Sequence, residues 1–139
     1  MKFDAVLMIG FGGPEKPDDI RPFLENVTRG RRIPKERLDE VAHHYEAIGG
    51  RSPINELTFR QAQALRTKLK DRNCALPVYV GMRNWHPFLV DTVRQMAGDG
   101  IKRAVGLIMA PQQSDSSYEQ YQRNVADAVA QAGVPLIVD

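Results

Sequence analysis

Apolar residues along this chain come in two patterns, short unbroken runs and stripes at helical spacing. Ala5 to Ile9 is an unbroken run ending in Gly10-Phe11-Gly12-Gly13-Pro14, the pattern of a strand buried on both faces that stops in a tight turn. A helix is predicted next. Pro17 and Asp18 suit its first turn, Ile20, Phe23, Leu24 and Val27 recur at helical spacing, and Pro22 is tolerated because it stands close to the start. Gly30 and the basic run Arg29 to Arg32 break that pattern. Pro34 opens a second helix whose Leu38, Val41, Tyr45 and Ile48 form one stripe, closed by Gly49-Gly50. A third helix follows the Ser52-Pro53 turn, with Leu57, Leu65 and Leu69 expected to face inward.

From there the alternation is regular. Val78 to Met82, Ala104 to Ala110 and Leu136 to Val138 read as strands, separated by helical stretches from Pro87 to Gly98 and Ser117 to Ala132. Such β-α-β-α-β order predicts parallel strands joined by right-handed crossovers, with functional loops gathered at the strand carboxyl ends. The expected fold is therefore α/β, a flavodoxin-like open parallel sheet with helices on both faces, its strands near 4 to 10, 77 to 82, 103 to 110 and 135 to 138. The last strand stops at Asp139 with no helix after it, so either a partner is expected to cover it or the sequence is a piece of a longer one.

Composition narrows the class. At 139 residues the chain has the size of one domain, and 42% hydrophobic with 26% charged residues is an ordinary globular balance. Nineteen Lys and Arg against seventeen Asp and Glu leave a net charge of +2, too little to propose nucleic acid as partner, so any anion site must be local. Cys74 is the only cysteine, which excludes an intramolecular disulfide or a multi-cysteine metal site and fits a reducing compartment. No apolar run approaches the roughly 20 residues needed to span a bilayer, and Met1-Lys2-Phe3-Asp4 lacks a signal-peptide profile. A soluble, cytoplasmic protein with no transmembrane segment is expected.

Several constellations bear on chemistry. The glycine turn invites a nucleotide reading, but G-x-G-x-x-G needs glycine where Glu15 stands, and a phosphate there would meet a carboxylate. Glycines that merely let the chain turn leave the bulky Phe11 between them unexplained, and a large apolar side chain at a strand's carboxyl end commonly lines a pocket. Arg29, Arg31 and Arg32 with Arg51 are the one local concentration of positive charge. Guanidinium groups bind carboxylates bidentately, so a dicarboxylate ligand would suit them, although an arginine run taken alone reads more simply as a solvated loop. His43 and His44 are neighbours on one helix, about 100° apart, and cannot chelate one metal together. His86, in Arg83-Asn84-Trp85-His86-Pro87, reads as a loop or capping histidine, and Pro111 to Ser117 as a polar loop and helix N-cap leading into Tyr118 and Tyr121. Together these loops describe an apolar slot rimmed by carboxylate-binding groups.

Four segments give the pattern a specific meaning: Phe11-Gly12-Gly13-Pro14, the run from His44 through Tyr45, Gly49-Gly50 and Ser52-Pro53 to Asn55, Thr58 with Gln61-Ala62, and Val80 to Phe88 containing Gly81-Met82-Arg83-Asn84-Trp85-His86-Pro87. In this order they resemble the amino-terminal half of a ferrochelatase, a lyase that inserts ferrous iron into a porphyrin in haem biosynthesis. The resemblance implies two similar flavodoxin-like halves with the porphyrin in the cleft between them. Residues 1–139 are then the amino-terminal one, a chelatase half-domain with strand order 2-1-3-4, and the carboxyl-terminal half is absent. It implies no cofactor beyond the two substrates, iron and a porphyrin of the protoporphyrin or coproporphyrin type. The histidine of a Ser-Ala-His-Ser-type motif and a downstream glutamate, thought to bind metal and accept pyrrole protons, belong to the second half, so no catalytic or metal-ligating residue is expected here.

For the porphyrin pocket the resemblance implies a set of positions. Phe11 stands where some bacterial members place a tyrosine over the metal, and a phenyl ring can pack on a macrocycle but cannot ligate iron. Arg29, Ser52, Tyr121, His44 and Tyr45 fall at or beside positions that hold propionates, Thr28 occupies a place where an arginine is often found, and Gln112 follows Ala110-Pro111 where many bacterial relatives carry histidine. The chain alone is expected to be inactive or very weak, its partner being the missing half. Alternatives from the same residues are a small single-domain chelatase in which a second copy rebuilds the cleft, a porphyrin-binding module without catalysis, and a purely structural domain.

Overall fold

The computed structural model describes residues 2–110 and 115–139. Four strands, β1 (Ala5–Gly10), β2 (Val78–Met82), β3 (Arg103–Ile108) and β4 (Ile137–Val138), form one sheet in the spatial order β2-β1-β3-β4, every neighbouring pair parallel. Both the expected order and the expected direction are found. All six residues of β1 are buried, which is why that segment reads as an unbroken apolar run. Two of the strands are shorter than expected. β3 ends at Ile108, although Met109 still donates its N–H to the Ile9 carbonyl at 2.9 Å, and β4 is two residues long.

Between β1 and β2 the chain makes a turn of 3-10 helix at Pro17–Asp19 and three α-helices, α1 (Ile20–Val27), α2 (Lys35–Ala47) and α3 (Ile54–Asp71). Helix α4 (Leu89–Gly98) follows β2, and α5 (Asp115–Ala132) follows β3. Helix α3 covers one face of the sheet, where Ala62, Leu65 and Leu69 meet Val6, Met8, Val78 and Val80. Helices α4 and α5 cover the other, bringing Leu89, Val93, Met96, Tyr121 and Val125 against Ala5, Leu7 and Ile9. A third cluster, Ile20, Phe23, Leu24 and Ala42 with Leu38, Val41 and Tyr45, joins α1 to α2. No described helix is long and apolar enough to cross a membrane.

Two expected core positions are not in the core. Ile48 is exposed because α2 ends at Ala47, so the last member of its stripe falls in the turn beyond the helix. Leu57 is half exposed: it lies in the first turn of α3, which stands over the strand ends, whereas Leu65 and Leu69 further along the helix lie over the strands. On the same face as α3, Leu107 and Ile137 are also exposed, because one helix does not reach across to β3 and β4.

The topology fixes where a ligand fits. The chain leaving β1 meets the start of α3 on one face, and β3 is followed by α5 on the opposite face, so neighbouring strands are followed by helices on opposite sides of the sheet. Open α/β sheets bind ligands in the crevice at such a point.

The Gly49-Gly50 turn tests how tightly α2 and α3 are seated. Both residues have positive φ, but a Cβ on Gly50 would lie 2.7 Å from the Pro17 backbone while nothing stands near one on Gly49. Gly49→Ala is expected to cost about 1–2 kcal/mol from backbone strain alone, and Gly50→Ala a further ~1–3 kcal/mol from overpacking. Urea unfolding of both variants measures this, and equal losses would refute it.

Candidate functional site

The loop after β1 is locked from two sides. Arg83 and Asn84, just past β2, donate their backbone N–H groups to the carbonyls of Gly10 (2.9 Å) and Phe11 (3.0 Å). Gly12 has φ +84°, and a Cβ there would come within 3.2 Å of Trp85 and Met82, so only glycine lets the two loops close. On the other side, Gly13 donates its N–H to Asn55 Oδ1 (3.0 Å) and its carbonyl accepts from Asn55 Nδ2 (2.9 Å). Asn55 is 1% exposed, and its Nδ2 also donates to Glu15 Oε1. Ser52 donates its N–H to the Pro14 carbonyl at 2.8 Å, so the Gly-Gly-x-Ser-Pro-x-Asn segment and the Phe-Gly-Gly-Pro turn form one unit.

Above the switch point opens a cavity of about 550 Å³, walled by Phe11, Ile54, Leu57, Leu107 and Met109. Its size is that of a small-molecule site, and its lining is mostly apolar. Behind Phe11 the aromatic rings form a cluster centred on buried Phe23, which meets Phe11, Tyr45 and Trp85 edge to face at centroid distances of 6.2, 5.8 and 6.5 Å. The Arg83 guanidinium lies 5.8 Å from the centre of the Phe11 ring and 5.5 Å from that of Tyr121, a cation between two π faces. Burial raises the phenol pKa of both Tyr45 and Tyr121 above the usual 10.0, with the Arg83 charge pulling Tyr121 partly back. Both hydroxyls therefore keep their protons at neutral pH and are able to donate to a carboxylate.

The seven residues expected in a porphyrin pocket are distributed unevenly. Phe11, Tyr45 and Tyr121 come together around Phe23 and Arg83. Thr28 caps the end of α1, its hydroxyl donating to the Leu24 carbonyl at 2.8 Å. Arg29 is exposed, donates to Asn26 Oδ1 (3.1 Å), and lines a second cleft of about 520 Å³ that it shares with Arg83. Ser52 accepts the Ile54 N–H on Oγ and lines a third cavity with Arg51 and Asn55. His44 is exposed on α2.

The expected arginine concentration is not a single site. Arg51 pairs with Glu56 at 2.9 Å, and it lines a different cavity from Arg29. Gln112 and residues 111–114 lie outside the described residues. Among the described residues, no group of three His, Cys, Asp or Glu side chains comes together to hold a metal. The sequence reading missed the walls of the slot: Leu57 looked like core because it shares a helical face with Leu65, and Leu107 and Met109 because they extend an apolar strand.

A family model described as Ferrochelatase matches residues 3–137. Among curated proteins, the chain is 53% identical over 128 residues to a protein named coproporphyrin III ferrochelatase from Streptomyces coelicolor, covering 92% of this chain and 34% of that one. It is 48% identical over 133 residues to a protein of the same name from Mycolicibacterium smegmatis (96% and 39%), and 50% identical to one from Mycobacterium avium (96% and 38%). The chain thus spans a little over a third of the length of the curated relatives it matches.

The Asn55 contact is open to direct measurement. Asn55→Ala leaves the Gly13 N–H and carbonyl without their buried partner, each at a cost of about 1–3 kcal/mol. A stability loss of at least ~2 kcal/mol is expected in chemical denaturation, and a loss within error of zero would show that the turn holds without the amide.

Proposed function

The chain belongs to the ferrochelatase family, and from that we propose that it forms the amino-terminal, porphyrin-binding part of an enzyme that inserts ferrous iron into coproporphyrin III. The observation that carries the reading is the apolar slot at the carboxyl ends of β1 and β3 with Phe11 in its wall, in a chain about half identical to proteins named for that reaction. A flat macrocycle needs apolar walls and cations at its carboxylate-bearing edge. Leu57, Leu107, Met109 and Phe11 supply the walls, and Arg29 with the protonated phenols of Tyr45 and Tyr121 supplies donors for propionates. Thr28, His44 and Ser52 do not line this slot, and their place in the reading rests on the family resemblance alone.

Insertion of iron also requires a base that removes two pyrrole protons and a path for the metal. The phenyl ring of Phe11 offers no lone pair to iron, and in the family resemblance the metal and proton chemistry belongs to the other half. We assign both tasks to the remainder of the longer protein, which closes over the slot and excludes water from the reacting ring. No cofactor enters this reading, and its activity is that of a soluble enzyme in the cytoplasm.

Two results are expected. Arg29→Ala in the full-length protein weakens coproporphyrin III binding by about 1.5 to 3 kcal/mol, the range for a hydrogen bond to a charged group, as read by titration of the porphyrin's absorbance. Unchanged affinity would remove Arg29 from the pocket. Supplied anaerobically with ferrous iron and coproporphyrin III, the 139-residue chain alone forms metalloporphyrin far more slowly than when the rest of the protein is added. Equal rates would replace this reading with that of a small chelatase whose two copies rebuild the cleft.

A further inference from the structure

Arg83 differs from the other arginines in its surroundings: Arg31, Arg32, Arg72 and Arg123 also lack an ion pair among the described residues but are exposed to solvent. Arg21, Arg37, Arg51, Arg60, Arg94 and Arg103 are each ion-paired to a carboxylate. The Arg83 side chain is half-buried, yet among the described residues its guanidinium makes neither a hydrogen bond nor an ion pair, only the two ring contacts with Phe11 and Tyr121. Ring faces hold a guanidinium without consuming its five N–H donors, which lie in the plane of the group. A half-buried cation with its donor edge unspent is costly unless something supplies acceptors.

Its surroundings define those acceptors. Arg83 and Arg29 line the same cleft of about 520 Å³, and the carboxylate in that lining, the exposed Asp127, is paired to neither. Through Phe11, Arg83 also touches the wall of the apolar slot. A ligand that fills the slot and reaches this side is therefore met by an exposed guanidinium and a half-buried one. At the exposed position a carboxylate can remain hydrated. At the half-buried position an apolar substituent would leave the cation desolvated and unpaired, whereas a carboxylate would satisfy it bidentately.

Resting on the porphyrin reading above, the geometry points to Arg83 as the residue that selects for a porphyrin with four propionates over one with two. Coproporphyrin III carries propionates at the two positions where protoporphyrin IX carries vinyl groups, and Arg83 receives one of these additional carboxylates. Its discrimination works as much by penalty as by attraction, since vinyl groups at that edge strand the half-buried guanidinium.

The test compares the full-length wild-type protein with Arg83→Gln and Arg83→Lys, titrating each with coproporphyrin III and with protoporphyrin IX. Arg83→Gln is expected to weaken coproporphyrin III binding about tenfold or more, a change equal to about 1.4 kcal/mol, while protoporphyrin IX affinity is unchanged or improves. Arg83→Lys, which keeps the charge and loses the planar fork, should fall between. A thermal melt of each variant shows whether the fold survives, and if Arg83→Gln does not fold, the same selectivity ratio is read on Arg83→Lys. Equal weakening toward both porphyrins would make Arg83 a support for Phe11 and Tyr121 and overturn the assignment, as would no change toward either. Wild-type protein that binds neither porphyrin overturns the porphyrin reading itself.

Discussion

The top of this molecule depends on the exchange of two hydrogen bonds between the amide of Asn55 and the backbone of Gly13. The loop after β1 must leave the sheet without strand partners, at the point where its neighbours diverge, and its polar groups would otherwise be buried unpaired. An asparagine side chain carries a donor and an acceptor side by side, which lets it stand in for a strand. Because Asn55 sits at the start of α3, the same contact that satisfies the loop also sets the height of that helix over the strand ends. Leu57 then projects over the sheet opening rather than into the core, and the apolar slot follows from that placement.

The backbone architecture could be read from the sequence because burial on both faces writes a simple signal. β1, β2 and most of β3 are unbroken apolar runs, α3, α4 and α5 carry apolar faces that the structure places against them, and the α1 stripe packs on α2. Strand order and the function of the loops came from family resemblance, since apolar periodicity says nothing about which strands are neighbours. Where the reading failed for core positions, the face was right and the extent was not: a stripe marks which face of a helix is apolar, not where the helix ends or how far along it there is something to cover. Ile48 belongs to a stripe that runs past the end of α2 at Ala47, and Leu57 to one that outruns the strands beneath α3.

The candidate site was only partly visible for a different reason. Counting arginines locates charge but not its availability, which depends on what each guanidinium meets in space. Arg51, which the sequence groups with the basic run Arg29 to Arg32, is occupied by Glu56, while Arg83, isolated among uncharged neighbours, has no ion pair among the described residues and lies between two rings. Exposed ion pairs of the Arg51 type contribute little to stability and leave the group hydrated. The consequence is that a candidate cation is found by subtraction, as a partly buried one that no carboxylate among the described residues has claimed.

The same subtraction applies to apolar surface. Most large hydrophobic side chains pack into one of the three clusters, but Leu57 and Leu107 both line the slot and stay open to water. Scattered exposed leucines carry no message, yet two that wall one cavity beside Phe11 and Met109 form a continuous apolar patch. Closing water out of that patch is favourable in proportion to the area covered, whatever covers it. A planar aromatic ring with carboxylates at its edge satisfies both at once, since its faces cover the leucines and its edge meets the half-buried Arg83 guanidinium. Neither a nucleotide, whose phosphates would meet Glu15 at the glycine turn, nor a purely apolar ligand, which would leave Arg83 unpaired, matches both.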